Sequence, residues 1–283
     1  MELKQVIQKN NFRFNKRFGQ NFIEDEGLLN KIVDVAGVTA EDTVLEIGVG
    51  AGTLTRALCA RAKKVVGYEI DKNLAPVLSQ TLSGIDNCEV VFRDFMRESV
   101  EGLKEFIDGD FIVVANLPYY ITSPITMRLL EEFPLCKRLV IMVQNEVALR
   151  FTAKEDTADY GSITAAIDYY SDPYYEFFVP REKFFPVPNV DSAVVRLERN
   201  LKYTVKSHYA FKEVLRISFL SRRKTLANNL INVFKIPRAQ AEEVLQKASL
   251  PVGIRGEVLS TAQFAHLSDV LYDVGLIKEK HKN

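Results

Sequence analysis

Residues 43–52 read Thr-Val-Leu-Glu-Ile-Gly-Val-Gly-Ala-Gly, an apolar run that passes without a break into three alternating glycines. A short run of this kind bounded by glycine predicts a buried strand, and the helix formers of 53–62 predict a helix directly after it. Glycines at 48, 50 and 52 let the backbone approach a ligand closely, and the first turn of the following helix offers free N–H groups. The turn is not the dinucleotide fingerprint, because G-x-G-x-x-G requires a glycine where Thr53 stands.

The same pattern recurs along the chain. Apolar runs at Thr43–Ile47, Lys64–Tyr68, Glu89–Phe92, Phe111–Ala115 and Arg138–Val143 alternate with helix-length segments at 53–62, 72–82, 124–133 and 145–152. A helix ending at Gly37 precedes them. Such alternation predicts βαβ units and a mostly parallel sheet, with the functional loops at the carboxyl ends of the strands. After a helix near 162–170, Tyr174–Val179 and Ser192–Leu197 predict two strands joined by a Pro-rich loop that close the sheet as an antiparallel edge. Beyond Arg199 only helical patterns remain, at 207–220, 222–233, 238–247 and 261–275, predicting a small all-α domain. The expected organisation is a basic arm (1–20), an α/β domain (21–199) and a helical domain (200–283).

With 283 residues, 47% of them hydrophobic, the chain has ample core, and disorder or a small disulfide scaffold is excluded. No signal-like leader and no apolar run near ~20 residues is seen, so a cytosolic, non-membrane protein is expected. Cys59, Cys88 and Cys136 lack CxxC spacing and are expected to be buried small hydrophobes, not disulfide or zinc partners. Three histidines, all in the last third, leave little material for a metal site. Lys and Arg balance Asp and Glu at 37 each, yet the basic residues cluster. Lys4, Lys9, Arg13, Lys16 and Arg17 crowd the first 20 residues, and Arg216, Arg222, Arg223 and Lys224 form a second group. Such patches suit phosphate contacts, although a charge run is more often a solvated face.

Glu69 ends the second strand, 21 residues after Gly48, where a nucleotide-binding sheet places the carboxylate that accepts both ribose hydroxyls. Asp94 follows the third strand, where an acceptor could read an adenine amino group; either acid could instead cap a helix. Asn116-Leu-Pro-Tyr119 follows the fourth strand. Methylating an exocyclic amine requires its lone pair to be drawn out of ring conjugation, which acceptors on both amino hydrogens would do. Asn116 supplies a side-chain oxygen, and Leu117, held extended by Pro118, supplies a carbonyl in a fixed direction. Tyr119 offers a face for an extruded base. A Pro-containing turn with a packed tyrosine is the bland alternative.

The glycine turn preceded by Glu46 resembles the first motif of S-adenosylmethionine-dependent methyltransferases. Asn15-Lys-Arg-Phe-Gly-Gln-Asn-Phe-Ile23, Glu46-Ile-Gly-Val-Gly, Asn116-Leu-Pro-Tyr-Tyr-Ile-Thr-Ser-Pro124, Phe184-Phe-Pro-Val-Pro-Asn-Val-Asp-Ser192 and Ser221-Arg-Arg-Lys-Thr-Leu226 together resemble the small-subunit ribosomal RNA adenine dimethyltransferases, the kasugamycin-resistance family. The likeness runs from about residue 11 to the end. Val49 and Val187 depart from the family pattern, standing where proline is frequent.

This resemblance implies a Rossmann-like class I methyltransferase sheet with a helical C-terminal domain, and S-adenosylmethionine as cofactor. It implies that Asn21 and Ile23 close over the cofactor, that Gly48 contacts its amino-acid end, and that Glu69 binds the ribose. Asp94 would bind the adenine, and Asn116 would contact both cofactor and target amine. Phe184 would stack on the flipped adenine opposite Tyr119, unless it and Phe185 are ordinary core aromatics. Lys16, Arg17, Arg222, Arg223 and Lys224 would hold phosphates of 16S rRNA within the small subunit or its assembly intermediate. No metal is required, and a monomer is expected. The alternatives are the related methyltransferase of one large-subunit adenosine, and a non-catalytic assembly or transcription factor on the same scaffold.

Overall fold

The computed structural model describes residues 3–10, 12, 14, 15 and 18–279, so Lys16 and Arg17 lie outside the described residues. Its elements are α1 (Leu3–Lys9), β1 (Phe22–Ile23), α2 (Glu26–Ala36), β2 (Thr43–Ile47), α3 (Thr53–Cys59), β3 (Lys64–Tyr68), α4 (Ala75–Thr81), β4 (Cys88–Val91), α5 (Val100–Leu103), β5 (Phe111–Asn116) and α6 (Thr122–Glu132). There follow β6 (Cys136–Gln144), α7 (Asn145–Phe151), α8 (Ser162–Tyr170), β7 (Ser171–Val179), β8 (Phe184–Phe185), β9 (Ser192–Arg199), α9 (His208–Ser218), α10 (Leu226–Phe234), α11 (Arg238–Lys247) and α12 (Thr261–Asp273).

Seven strands form one sheet in the order β4-β3-β2-β5-β6-β9-β7. The pairs β2–β3, β3–β4, β2–β5 and β5–β6 are parallel, and β9 runs antiparallel to β6. This is the mostly parallel sheet with an antiparallel edge that the alternating apolar runs predict. Its order reverses between β2 and β5, and at such a switch point a crevice opens beyond the carboxyl ends of the strands. Near-continuous Val, Ile and Leu in β2, β5 and β6 follow from burial on both faces. On one face, Leu29, Ile32, Val33 and Ala36 of α2 pack with Leu54 and Leu58 of α3 over Val44, Val65 and Val114.

Helix α2 has its ends written in the sequence: Asp25 caps it by accepting from Leu28 N–H, and Gly37, at φ 60°, turns the chain out. Two short strands escape sequence reading. β1 pairs antiparallel with β8, Phe22 opposite Phe185 and Ile23 opposite Phe184, which carries the early Asn-Phe-Ile segment to the Pro-rich loop.

The chain divides into two compact units, one of residues 1–148 with 173–199 and one of 149–172 with 200–283. The sequence reading puts the boundary between the α/β and helical domains at 199/200, whereas residues 149–172, with α8, group with the C-terminal helices. Tyr169 of α8 meets Phe211 of α9 at 4.4 Å between ring centres, and the Tyr160 hydroxyl donates to the Leu259 carbonyl. These apolar and aromatic contacts are the reason the segment leaves the α/β unit. The cysteines also differ from expectation. Cys136 is buried, but Cys59 and Cys88 are half-buried and their thiols share a hydrogen bond, which together with burial pushes the Cys59 thiol up. Among the described residues, no helix is long and apolar enough to cross a membrane.

Arg199 ends the last strand of the sheet with a strut. Its Nε donates to the Cys136 carbonyl at 2.7 Å, and its Nη2 to the carbonyls of Leu129, Leu130 and Phe133 at 3.0, 3.0 and 3.1 Å. A guanidinium there satisfies the carbonyls left open at the end of α6 and meets the negative end of that helix. Arg199→Ala strands buried acceptors and is expected to destabilise the protein by about 2–4 kcal/mol. By thermal unfolding this should lower Tm by roughly 5–10 °C, and Arg199→Lys should recover only part of the loss.

Candidate active site

A cavity of about 330 Å³ occupies the switch-point crevice, within the size range of small-molecule sites. It is lined by the glycine turn after β2, by Glu69 after β3, Asp94 after β4, Asn116–Tyr120 after β5, and Phe18–Ile23. The structure thus brings together Asn21, Ile23, Gly48, Glu69, Asp94, Asn116, Leu117, Pro118 and Tyr119, which the sequence spreads over nearly 100 positions.

The turn is built from backbone donors. Gly48 N–H donates to the Tyr68 carbonyl at 2.8 Å, and Gly50 N–H to Glu69 Oε2 at 2.8 Å. Gly48 has φ 81°, and a Cβ there would stand 3.6 Å from the Asn116 carbonyl oxygen, so this turn and the β5 loop meet at their backbones. Val49, in place of a proline, is buried, and its Cγ2 fills the space above Gly67 that a side chain there would need.

Glu69 is nearly buried and accepts two backbone bonds, from Gly50 and from Asp71 N–H at 2.8 Å. Burial raises its pKa, against the lowering by these bonds. Its side chain lines the cavity. Asp94 serves both readings: its Oδ1 caps the following turn by accepting from Met96 N–H at 2.9 Å, and it also lines the cavity. Asp71 is the residue that sequence reading missed. It accepts from Asn73 N–H and from Gln20 Nε2 at 2.7 Å, fastening the early segment beside Glu69. An aspartate two residues before an asparagine and just outside a strand is a capping signal that could have marked it.

Asn116 Nδ2 donates to the Asn21 carbonyl at 2.9 Å. The bond assigns the amide's nitrogen to the protein and leaves Oδ1 without a donor among the described residues. Pro118, at φ −56° and ψ 130°, sets the loop, and no described residue donates to the Leu117 carbonyl. The Tyr119 hydroxyl bonds Ser192 Oγ at 2.9 Å, pinning the ring, while burial raises its pKa and keeps the phenol neutral. Ser192 closes the Phe184–Ser192 motif, and its task here is to orient Tyr119.

The structure does not bring Phe184 to the cavity wall. Its side chain is 3% exposed and packs with Ile23, Val179 and Val194, because the β1–β8 pairing turns it into the core. Phe185 on the other side joins Phe14 at 5.4 Å, and Phe14 joins Phe22 at 5.4 Å, an aromatic cluster that anchors the segment covering the glycine turn.

In the other unit, the expected helix at 222 begins only at Leu226, because Thr225 caps it by accepting from Asn228 N–H. Arg222 is tied down, with Nε at 3.1 Å from Glu257 and Nη1 donating to the Ala158 carbonyl at 3.0 Å. Arg223 and Lys224 are exposed, and Arg216 pairs with Glu213 on its own helix. Among the described residues, no group of three or more His, Cys, Asp or Glu is placed to hold a metal.

A glycine turn, carboxylates after the next two strands, and Asn-Leu-Pro-Tyr after the following one, all at the switch point of a Rossmann-like sheet, define a class I methyltransferase. Residues 11–267 match the family described as ribosomal RNA adenine dimethylase. The chain is 44% identical over 276 residues to ribosomal RNA small subunit methyltransferase A of Geobacillus thermodenitrificans, covering 95% of this chain and 94% of that one. Its counterpart in Clostridioides difficile is 43% identical over 272 residues, with the same shares. A dimethyladenosine transferase from Plasmodium falciparum superposes with a TM-score of 0.77 at 28% identity, over 90% of this chain and 98% of that one. The 23S rRNA methyltransferase ErmE superposes with a TM-score of 0.68 at 31% identity, over 89% and 100%. The chain belongs to the ribosomal RNA adenine dimethylase family and is an S-adenosylmethionine-dependent rRNA methyltransferase.

Glu46, under the turn, is 1% exposed, and its Oε2 has no hydrogen-bond partner among the described residues. Burial raises its pKa well above the usual carboxylate range. In free protein the folded state therefore keeps a proton that the unfolded state releases once pH exceeds its own, ordinary value. Stability contributed at low pH is lost as pH rises toward the folded value, with a slope of up to about 1.4 kcal/mol per pH unit. Denaturant unfolding between pH 5.5 and 8.5 is expected to show a flatter profile for Glu46→Gln than for the wild type.

Proposed function

We propose that this enzyme methylates N6 of two adjacent adenosines in the hairpin near the 3′ end of 16S rRNA, two methyls on each. Its substrate is the small subunit or an assembly intermediate, it acts as a monomer in the cytoplasm, and it takes part in subunit biogenesis. The observation that carries this reading is the Asn116 amide, whose nitrogen is held by the Asn21 carbonyl so that its oxygen is offered to an amine.

The donors and acceptors around the cavity fit S-adenosylmethionine. Glu69 accepts the ribose hydroxyls beside the bonds it already makes, and Asp94 receives the adenine amine through the oxygen not used as a cap. Gly48, whose left-handed backbone disfavours any side chain, borders the amino-acid end, and the unpaired Glu46 oxygen below is suited to an ammonium. Asn21 and Ile23 cover the group, held by the β1–β8 pair and the aromatic cluster. Phe184 contributes from underneath by supporting Ile23, in place of stacking on the base.

When bound, the cofactor supplies an electrophilic methyl group. In the first transfer Asn116 Oδ1 and the Leu117 carbonyl accept the two N6 hydrogens, and in the second one of them accepts the single hydrogen that remains, which localises the nitrogen lone pair and aims it in line with that methyl. Tyr119 presents a neutral ring face to the extruded base, offsetting part of the unstacking cost. No strong base is needed, because the amine's proton becomes acidic only after attack and is then lost to solvent. Arg223 and Lys224 hold RNA phosphates while Arg222 braces their loop, and Lys16 and Arg17 are assigned the same phosphate-binding role.

The greater identity to small-subunit relatives, 44% against 31% for the large-subunit enzyme, favours the 16S target. Complete Glu69, Asp94 and Asn-Leu-Pro-Tyr geometry argues against a purely structural factor. Methyl-labelled S-adenosylmethionine incubated with unmodified small and large subunits is expected to yield N6,N6-dimethyladenosine in the small-subunit RNA. Label confined to the large subunit would transfer the protein to the resistance enzymes, and label on neither would favour a scaffold.

A further inference from the structure

Tyr120 is not required by the chemistry above, yet its placement is unusual. At 60% exposed it is the most exposed large hydrophobic side chain among the described residues, and it lines the rim of the cavity. Other exposed tyrosines have partners: Tyr174 lies 4.2 Å below the Arg196 guanidinium, and the Tyr175 hydroxyl donates to Asn145 Oδ1 at 2.8 Å. Tyr120 has neither a hydrogen bond nor a ring contact with the described residues.

Its backbone is nonetheless rigid. Tyr119, Tyr120 and Ile121 form one tight turn, closed by Ile121 N–H donating to the Pro118 carbonyl at 3.1 Å, and Thr122 Oγ1 donates to the same carbonyl at 3.3 Å. Tyr119 is pinned inward by Ser192, so its neighbour on the turn is directed out of the cavity mouth. Position 19 faces it, since a Cβ on Gly19 would stand 3.9 Å from Tyr120 Cε1. A solvent-facing ring carried on a hydrogen-bonded turn at the mouth of a site for one extruded base is a stacking platform for a second base.

We propose that Tyr120 is a positioning residue that stacks on the nucleobase adjacent to the adenosine being methylated. Resting on the reading that adjacent adenosines of rRNA are the substrate, this role makes one base of the pair hold the RNA while the other reacts. After the first is modified, the two exchange places on Tyr119 and Tyr120. The surface is apolar and flat, so it is tolerant of which purine it holds.

Two variants test this with small subunits lacking the modification. Tyr120→Ala is expected to raise KM for subunits by about 5- to 100-fold, the loss of one stacked base. The effect on kcat should be smaller, with S-adenosylmethionine affinity and Tm unchanged, and Tyr120→Phe should restore KM. The protein contains no tryptophan, so Tyr120→Trp supplies a single reporter. Its emission is expected to be quenched by unmodified small subunits and not by large ones. An unchanged KM in Tyr120→Ala, a parallel loss of cofactor affinity, or indole emission from Tyr120→Trp that is indifferent to subunits would overturn the proposal while wild-type methylation still stood. Failure of the wild type to methylate small subunits at all would instead remove the reading beneath it.

Discussion

At the point where the sheet order reverses, two loops from neighbouring parallel strands meet backbone to backbone. Gly48 closes one of them and Asn116 opens the other, and the positive φ of Gly48 is what lets the first bend while the second passes 3.6 Å from where a side chain would begin. Every other feature of the cavity is arranged around that contact. The parallel register sets Glu69 and Asp94 at the ends of the next two strands, and the Asn116 amide reaches across to Asn21. The glycine-turn side and the Asn-Leu-Pro-Tyr side of the cavity therefore share one joint.

The electrostatics of the site follow from the burial of its acidic and phenolic side chains. Two buried carboxyls, Glu46 and Glu69, both have raised pKa values because of burial, but they are served differently. Glu69 is held by two backbone N–H groups, whereas one Glu46 oxygen is left without a partner among the described residues. An unpaired buried oxygen of this kind is costly in a folded protein, and the burial that leaves it unpaired is what favours the protonated carboxyl. Tyr119 shows the complementary case, a phenol kept neutral by burial and fixed in rotation by Ser192, so that its ring is available as an apolar surface.

Much of this was legible in the sequence, for definite reasons. Strand-end residues such as Glu69, Asp94 and Asn116 are found by counting along alternating runs, because parallel strands end on one edge. Helix α2 was readable from Leu28 to Gly37 by periodicity and a left-handed stop. The Asn116–Asn21, Gln20–Asp71 and Tyr119–Ser192 bonds were not readable, since they join segments 95, 51 and 73 positions apart with no periodic signal. Phe184 was misplaced for the same reason. A two-residue strand has too few residues to show alternation, and only its pairing with Ile23 reveals which way the ring faces. Arg222 looked like its neighbours Arg223 and Lys224 until Glu257 and the Ala158 carbonyl were brought beside it by the fold.

In the proposed reaction the Asn116 oxygen, oriented through Asn21, acts on the reacting amine and not merely on cofactor binding. Single-turnover methyl transfer by Asn116→Ala, measured alongside its affinity for S-adenosylmethionine, tests this directly. Transfer is expected to slow by about 100-fold or more, in line with loss of a positioned transition-state acceptor, with cofactor affinity changed by only a few-fold. Near-normal transfer, or a loss of cofactor affinity that accounts for the whole decrease, would contradict it.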